Sequence, residues 1–184
     1  MAKILVPVAD GIEMVEALAI VDVFRRAGAV VDIASVGEEQ VITSSHNVRI
    51  AADKFIGECK GEQYDLIAVP GGIPGAENLA ASNVLAEMLR SQNTEGRLYG
   101  AICASPAVVL HKHGLLDGRK ATCHPLFAAQ LPDQHDTAQA VVCDGNCVTS
   151  RGAGTAVMFG LELLGKLMGE EKKKEVAAGM VVAV

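Results

Sequence analysis

The sequence predicts an α/β fold in which helices cover both faces of a mostly parallel sheet. Apolar runs of strand length alternate with segments of helical periodicity along the chain. Those runs are continuous, as expected of strands that are buried on both faces. Small-residue loops follow three of them, at residues 9–12, 70–75 and 103–106. In parallel sheets, active sites gather at the carboxyl ends of strands, so these loops are the first place to look for a site.

The first half of the chain alternates strand and helix. Lys3–Val8 predicts a buried strand, and after the Asp10-Gly11 turn residues 13–27 predict a helix that Gly28 caps. The later predicted elements are a strand at 30–36, a half-exposed hairpin at 41–51, a strand at 65–69, and helices at 76–79 and 84–92.

The second half predicts two more strands and a hairpin, followed by closing helices. Leu98–Ile102 predicts a buried strand that stops at Cys103, and residues 107–110 predict the start of a helix. The other predicted elements are a strand at 120–123, a hairpin of 139–143 and 147–150 turned by residues 144–146, and helices at 155–168 and 172–182.

The composition limits the classes of protein to which the chain can belong. The 184 residues are 50% hydrophobic with a formal charge of −6, and they predict one domain over 1–184. There is no apolar run near the roughly 18 residues of a membrane span, and no dense basic patch for nucleic acid. The first residues lack a secretion signal, and five cysteines are an odd number, so we expect free thiols in the cytoplasm.

Cys103 is the strongest candidate for a functional residue. It lies where a buried strand turns into a helix, with small neighbours that permit a sharp nucleophile elbow. The positive end of the helix favours the thiolate and is expected to lower the thiol pKa from about 8.5 toward roughly 4 to 7. The alternative is a small buried hydrophobe, the commonest fate of an isolated cysteine. The elbow context favours the reactive thiol.

Glu16 is out of place on the first predicted helix. The positions that share its face are Ala19, Ile20 and Val23, so a carboxylate there interrupts an apolar stripe. If Glu16 is buried near the elbow, desolvation raises its pKa, and the protonated carboxyl donates a hydrogen bond to the Cys103 sulfur. The alternative is a solvated carboxylate stabilised by the helix dipole.

Three further residues are candidates to complete the site. His124 follows the predicted strand at 120–123 and is suited to act as a base or proton shuttle for the thiol. The alternative is a loop histidine that bonds only to backbone. Gly71 and Gly72 follow another strand, and they permit a close backbone approach to a ligand and an amide for an oxyanion hole.

Two other patterns do not indicate a cofactor. Cys143 and Cys147 flank a tight turn and are placed to face each other across a hairpin, but companion ligands at zinc-site spacing are missing. Residues 151–155 are glycine-rich, yet they lack the lysine and the spacing of a phosphate loop. We therefore predict no metal, no nucleotide and no other cofactor.

Taken together, several short motifs resemble the ThiJ/PfpI superfamily, in particular the branch that contains the parkinsonism-associated protein deglycase and bacterial ThiJ-type proteins. The resemblance runs in order along essentially the whole chain. It implies a flavodoxin-like fold and a homodimer. The motifs are Asp10-Gly11-Ile12-Glu13 with Glu16, Pro70-Gly71-Gly72, Ala101-Ile102-Cys103-Ala104, His124-Pro125 and Ser150-Arg151-Gly152.

The same resemblance implies residue roles. Cys103 would be the nucleophile and oxidation site, Glu16 the protonated carboxyl touching its sulfur, and His124 the nearby histidine. The oxyanion-hole amides would come from Gly72 and Ala104, with Gly71 beside them. Two positions depart from the branch: His46 stands where arginine is usual, and Ala153 stands where proline is usual.

These residues lead to two hypotheses about function. The first is a cofactor-free thiol enzyme, and the resemblance implies that it acts on reactive dicarbonyls such as methylglyoxal, or on their early protein adducts, to release a hydroxy acid. The alternative is a redox-sensing stress chaperone in which Cys103 is oxidised to a sulfinate without turnover. A peptidase is disfavoured because no acid directly follows His124 to orient it.

Overall fold

The computed structural model describes residues 1–183, so the last residue of the predicted 1–184 domain lies outside the described part. The strands are β1 (Lys3–Val8), β2 (Val30–Ser35), β3 (Val41–Thr43), β4 (Arg49–Ala51), β5 (Lys54–Phe55), β6 (Leu66–Val69), β7 (Leu98–Ile102), β8 (Val141–Asp144) and β9 (Cys147–Ser150). The α-helices are α1 (Met14–Arg26), α2 (Gly75–Ala81), α3 (Asn83–Thr94), α4 (Ala156–Met168) and α5 (Glu170–Gly179).

The main sheet has seven strands in the order β5-β2-β1-β6-β7-β9-β8. Every neighbouring pair is parallel except β8 with β9, which form an antiparallel hairpin at one edge. The central strands β6 and β7 are buried along their whole length, as continuous apolar runs require. The predicted flavodoxin-like, mostly parallel sheet is confirmed.

Helices cover both faces of this sheet. On one face α1 packs against α4, and a side chain at Gly100 of β7 would meet Phe159 and Leu163 of α4. The adjacent residue Tyr99 points to the opposite face, where its hydroxyl donates to the Leu115 carbonyl at 2.8 Å. Within residues 1–183, no helix combines the length and the apolar character needed to cross a membrane.

The ends of α1 follow from its sequence. The Glu13 side chain accepts a hydrogen bond from the Val15 amide, which caps the first turn. After Ala27, Gly28 takes a φ of +80°, a conformation that glycine adopts without strain. The helix therefore delivers Glu16 to the carboxyl edge of the sheet within its first turn.

Two predictions for the second half of the chain were wrong. Residues 120–123 form no strand, because the Lys120 and Thr122 amides donate to the side chains of Asp144 and Thr149 rather than to a strand backbone. The predicted helix after the elbow is present, and it begins as a π-helical turn over Pro106–Leu110. Cys143 and Cys147 lie on opposite faces of their hairpin, because Cys147 pairs with Asp144 and side chains alternate along a strand.

The three small-residue loops converge at the carboxyl edge of the sheet. A side chain at Gly75 would collide with the backbone of Gly11 and Ile12, so residues 9–12 pack directly on residues 70–75. A side chain at Gly71 would collide with Cys103, so the second loop packs equally closely on the elbow. The predicted meeting of these loops is confirmed, and it depends on glycine at each contact.

Candidate active site

Cys103 lies directly after β7 with its backbone in the left-handed region, at a φ of +65°. This conformation costs a non-glycine residue about 1 to 3 kcal/mol, so the surrounding structure must hold it in place. The Cys103 amide donates to the Ser150 carbonyl at 3.0 Å, and its carbonyl accepts from the His124 amide at 2.7 Å. The predicted elbow is confirmed, and its strained backbone leaves the thiol half-buried.

Gly71 permits the second loop to touch the elbow. A methyl group at that position would lie 2.6 Å from the Cys103 Cβ and 2.7 Å from the Ile102 carbonyl oxygen. The buried Ser105 hydroxyl donates to the Pro70 carbonyl at 2.5 Å and ties the two loops together. This arrangement places the backbone amides of Gly72 and Ala104 beside the Cys103 sulfur, where they favour its ionised form.

Glu16 is fully buried beside the thiol. Its Oε2 accepts a hydrogen bond from the Gly71 amide at 2.8 Å. Its other oxygen, Oε1, is buried and has no partner at regular hydrogen-bond geometry among the described residues, although the Cys103 thiol lies beside the carboxyl. One carboxyl oxygen is therefore fixed, and the other is free to exchange a proton with the sulfur.

Burial controls the protonation of this pair. Desolvation raises the pKa of Glu16 from 4.5 to about 7, although hydrogen bonds from Gly71 and Cys103 oppose the rise. Desolvation and the neighbouring Glu16 carboxylate raise the pKa of Cys103 to about 12, against the opposing effect of the Gly72 and Ala104 amides. The expected lowering of the Cys103 pKa was wrong, because burial and a like charge outweigh the donors around the sulfur.

His124 contacts the elbow through its backbone and lines a neighbouring open cavity of about 340 Å³ with its side chain. Its Nδ1 accepts a hydrogen bond from the Leu126 amide at 3.3 Å, so in the neutral ring the proton is on Nε2. The cavity, called here the Arg151 cavity, is lined by His124, Pro125, Arg151, Gly152, Ala153, Gly154 and Thr155.

His46, one of the two departures from the branch pattern, belongs to a polar cluster within the same chain. Its Nδ1 lies 3.2 Å from the Glu13 Oε2, and the Ser45 hydroxyl lies 3.2 Å from the same oxygen. Glu13 also caps α1, so this cluster anchors the hairpin of β3 and β4 beside the first turn of that helix. His46 therefore contacts the Glu13 carboxylate of its own chain.

The structure brings together the predicted residues Glu16, Gly71, Gly72, Cys103 and Ala104, with His124 at the edge of the same region. Sequence reasoning missed the Ser105 hydroxyl, although a small polar residue directly after the Cys103-Ala104 turn is a recognisable pattern. It also left Arg151 out of the site. Among residues 1–183, no group of three or more His, Cys, Asp or Glu is arranged to hold a metal ion.

Fold and site together define a flavodoxin-like α/β protein with a cysteine at a nucleophile elbow and a buried glutamate beside it. The profile of the DJ-1/PfpI family matches residues 2–166. The chain belongs to the DJ-1/PfpI family.

Known proteins resemble the chain along its length. The Arabidopsis thaliana protein "Protein DJ-1 homolog B" is 44% identical over 180 residues, which cover 98% of this chain and 41% of that protein. The chain thus spans about two fifths of that relative. The solved structure of Toxoplasma gondii DJ-1 in its oxidized form has a TM-score of 0.97 at 43% identity and covers 100% of both chains. The Caenorhabditis elegans protein "Glutathione-independent glyoxalase DJR-1.2" is 34% identical over 184 residues, with 99% of this chain and 96% of that protein covered.

Proposed function

We propose that the protein is a cofactor-independent cysteine enzyme that converts reactive dicarbonyls, such as methylglyoxal, into hydroxy acids. One observation carries the proposal: Glu16, fully buried with a free Oε1, lies beside a half-buried thiol and has a pKa of about 7. A carboxylate with that pKa is matched to proton transfer near neutral pH. A relative named as a glutathione-independent glyoxalase supports the choice of substrate class.

The first step forms a bond between the Cys103 sulfur and the aldehyde carbon of the substrate. Because the pKa of Cys103 is raised to about 12, the thiol does not ionise alone near neutral pH. The Glu16 carboxylate therefore takes the thiol proton as the sulfur attacks. The amides of Gly72 and Ala104 stabilise the oxyanion on the attacked carbon, which becomes a hemithioacetal when it regains the proton.

The second step is an internal oxidation and reduction that needs no external electron acceptor. The aldehyde carbon loses its hydrogen as a proton, the neighbouring carbonyl is reduced to an alcohol, and a thioester of the hydroxy acid remains on Cys103. Glu16 and His124 are the groups placed to move these protons. Water then cleaves the thioester and restores the thiol, so that methylglyoxal and one water give one lactate.

The test is lactate formation from methylglyoxal without glutathione. Lactate is the readout because any exposed thiol consumes methylglyoxal reversibly. Wild-type protein is expected to form lactate, Cys103→Ser to form none, and Cys143→Ser, which changes an exposed thiol elsewhere, to match the wild type. Lactate formation that survives in Cys103→Ser, or its absence in the wild type, would overturn the proposal.

The pH profile tests the role of Glu16 separately. Because the base must be ionised, kcat/KM of the wild type is expected to rise with pH through about 7, the pKa of Glu16. Glu16→Gln keeps the acceptor for the Gly71 amide but removes the base, and it is expected to lower kcat by about 10² to 10⁴ and to abolish that inflection. An unchanged profile in Glu16→Gln would assign the proton transfer to another group.

A further inference from the structure

The Arg151 cavity contains a positive charge that no described carboxylate balances. Its lining residues include Arg151 and His124 but no Asp or Glu. Arg151 takes part in no ion pair within residues 1–183. Its Nε is buried and has no hydrogen-bond partner among those residues. Because Arg151 lines the cavity and its guanidinium group has no charged partner among residues 1–183, the site is suited to an anion.

Backbone donors line the same cavity. Residues 152–155 lead directly into α4, and the first amides of a helical segment have no partner within it. The Thr155 hydroxyl is occupied by the Ser150 hydroxyl at 2.7 Å and by the Gly152 amide at 3.2 Å. The exposed Ala153 supplies an N–H at this point, which proline would lack. The positive end of α4 adds to the attraction for an anion.

The Arg151 cavity is close enough to the Cys103 thiol for one small molecule to contact both. The Cys103 amide donates to the carbonyl of Ser150, the residue directly before Arg151. Neighbouring strands are about 4.8 Å apart, so the backbones of Cys103 and Arg151 are close neighbours across the sheet edge. His124 connects the two places, because its amide bonds to the Cys103 carbonyl while its ring lines the cavity.

We propose that the Arg151 cavity binds an oxyanion, a carboxylate or a phosphate, carried by the dicarbonyl whose aldehyde reacts at Cys103. This inference rests on the proposed function and narrows its substrate class to dicarbonyls with an anionic tail. The planar guanidinium group of Arg151 matches two oxygens of such a group, and the Ala153 and Gly154 amides add donors from the start of the helical segment. A reaction that supplies this substrate must leave an acid group a few carbons from an oxoaldehyde.

The first experiment compares two dicarbonyls that differ only at the end remote from the aldehyde. In 4,5-dioxopentanoate that end is a carboxylate, and in 2-oxopentanal it is a methyl group. The wild type is expected to prefer the carboxylate about tenfold in kcat/KM, a ratio typical of one charge-assisted contact. Arg151→Met is expected to bring the ratio near one, and Ala153→Pro, which removes one N–H at a position that suits proline, to lower it in part.

Arg26→Met is the matched control. Arg26 ends α1, ten residues beyond Glu16, and pairs with Asp22 on the surface far from the cavity. This control is expected to keep the wild-type ratio. A wild-type ratio near one, or a preference that survives Arg151→Met, would contradict the assignment of the cavity to the substrate tail.

Anion binding without turnover separates the failure of this inference from the failure of the proposed function. Acetate and inorganic phosphate are titrated in turn at constant ionic strength, and the amide resonances of Ala153 and Gly154 are followed by NMR in wild type and Arg151→Met. Changes in these amide resonances that require Arg151 support an anion site even if neither dicarbonyl reacts. The anion that binds more tightly identifies the anionic group of the substrate. The proposal is overturned if wild type and Arg151→Met behave alike in both turnover and titration.

Discussion

Glu16→Gln should change how the stability of the protein depends on pH. The pKa of Glu16 is about 7 in the folded protein against 4.5 for the free side chain. At low pH the carboxyl is protonated in both states and carries no electrostatic cost. As pH rises from 4.5 to 7, the unfolded chain releases this proton while the folded chain retains it, so the free energy of unfolding falls.

The magnitude follows from the size of the shift. One pKa unit corresponds to about 1.4 kcal/mol. Ionisation of Glu16 therefore lowers the free energy of unfolding by about 3 kcal/mol once the pH exceeds 7. Glutamine has the same shape, accepts from the Gly71 amide and cannot ionise. The variant is therefore expected to gain about 3 kcal/mol relative to the wild type between pH 4.5 and pH 8.

Urea denaturation of both proteins at four or five pH values gives this difference directly. Other titrating groups cancel in the comparison because both proteins share them. Glu77→Gln, at an exposed position on α2, corrects for the loss of one surface charge. A difference between wild type and Glu16→Gln that stays constant with pH would refute the conclusion that burial controls this carboxyl.

Two further predictions concern the elbow itself. Gly71→Ala is expected to lower the free energy of unfolding by about 1 to 3 kcal/mol and to reduce turnover, because its methyl group would meet Cys103 at 2.6 Å. Gly57→Ala has open space around the new methyl group and serves as the control in the same urea assay. Glu16→Gln is also expected to slow iodoacetamide alkylation of Cys103 at pH 8, because a thiol with a pKa of about 12 needs the Glu16 carboxylate to take its proton as it attacks, while alkylation of Cys143 continues at the wild-type rate. Peptide mass spectrometry over time measures both rates, and equal Cys103 rates in the two proteins would contradict the coupling.

Much of the fold could be predicted because its central strands are continuous apolar runs. The sequence also predicts a strand at residues 120–123. A strand needs a neighbouring backbone with which to form hydrogen bonds, and at this segment the Asp144 and Thr149 side chains accept the hydrogen bonds instead. Strand pairing depends on distant residues, so local pattern does not determine it. The homodimer stays a prediction.

In the candidate site, too, features that depend on neighbouring residues could be predicted from the sequence, and features that depend on distant residues could not. The elbow at Cys103 and the misplaced carboxyl of Glu16 can both be recognised within a few residues of sequence. The direction in which the Cys103 pKa is shifted could not be predicted from nearby residues, because it depends on burial and on a glutamate 87 positions earlier in the chain. The Arg151 cavity was missed for a similar reason, since it forms only when His124 meets the residues that precede α4.

The central claim is that Cys103 is the nucleophile, and rapid quenching during turnover of methylglyoxal tests it most directly. The account predicts a transient adduct with the mass of one methylglyoxal, located on the Cys103 peptide, that forms and decays at least as fast as lactate appears. Glu16→Gln should slow its formation, and Cys103→Ser should show no adduct at that peptide. Lactate production by the wild type without an adduct on Cys103 would contradict the account.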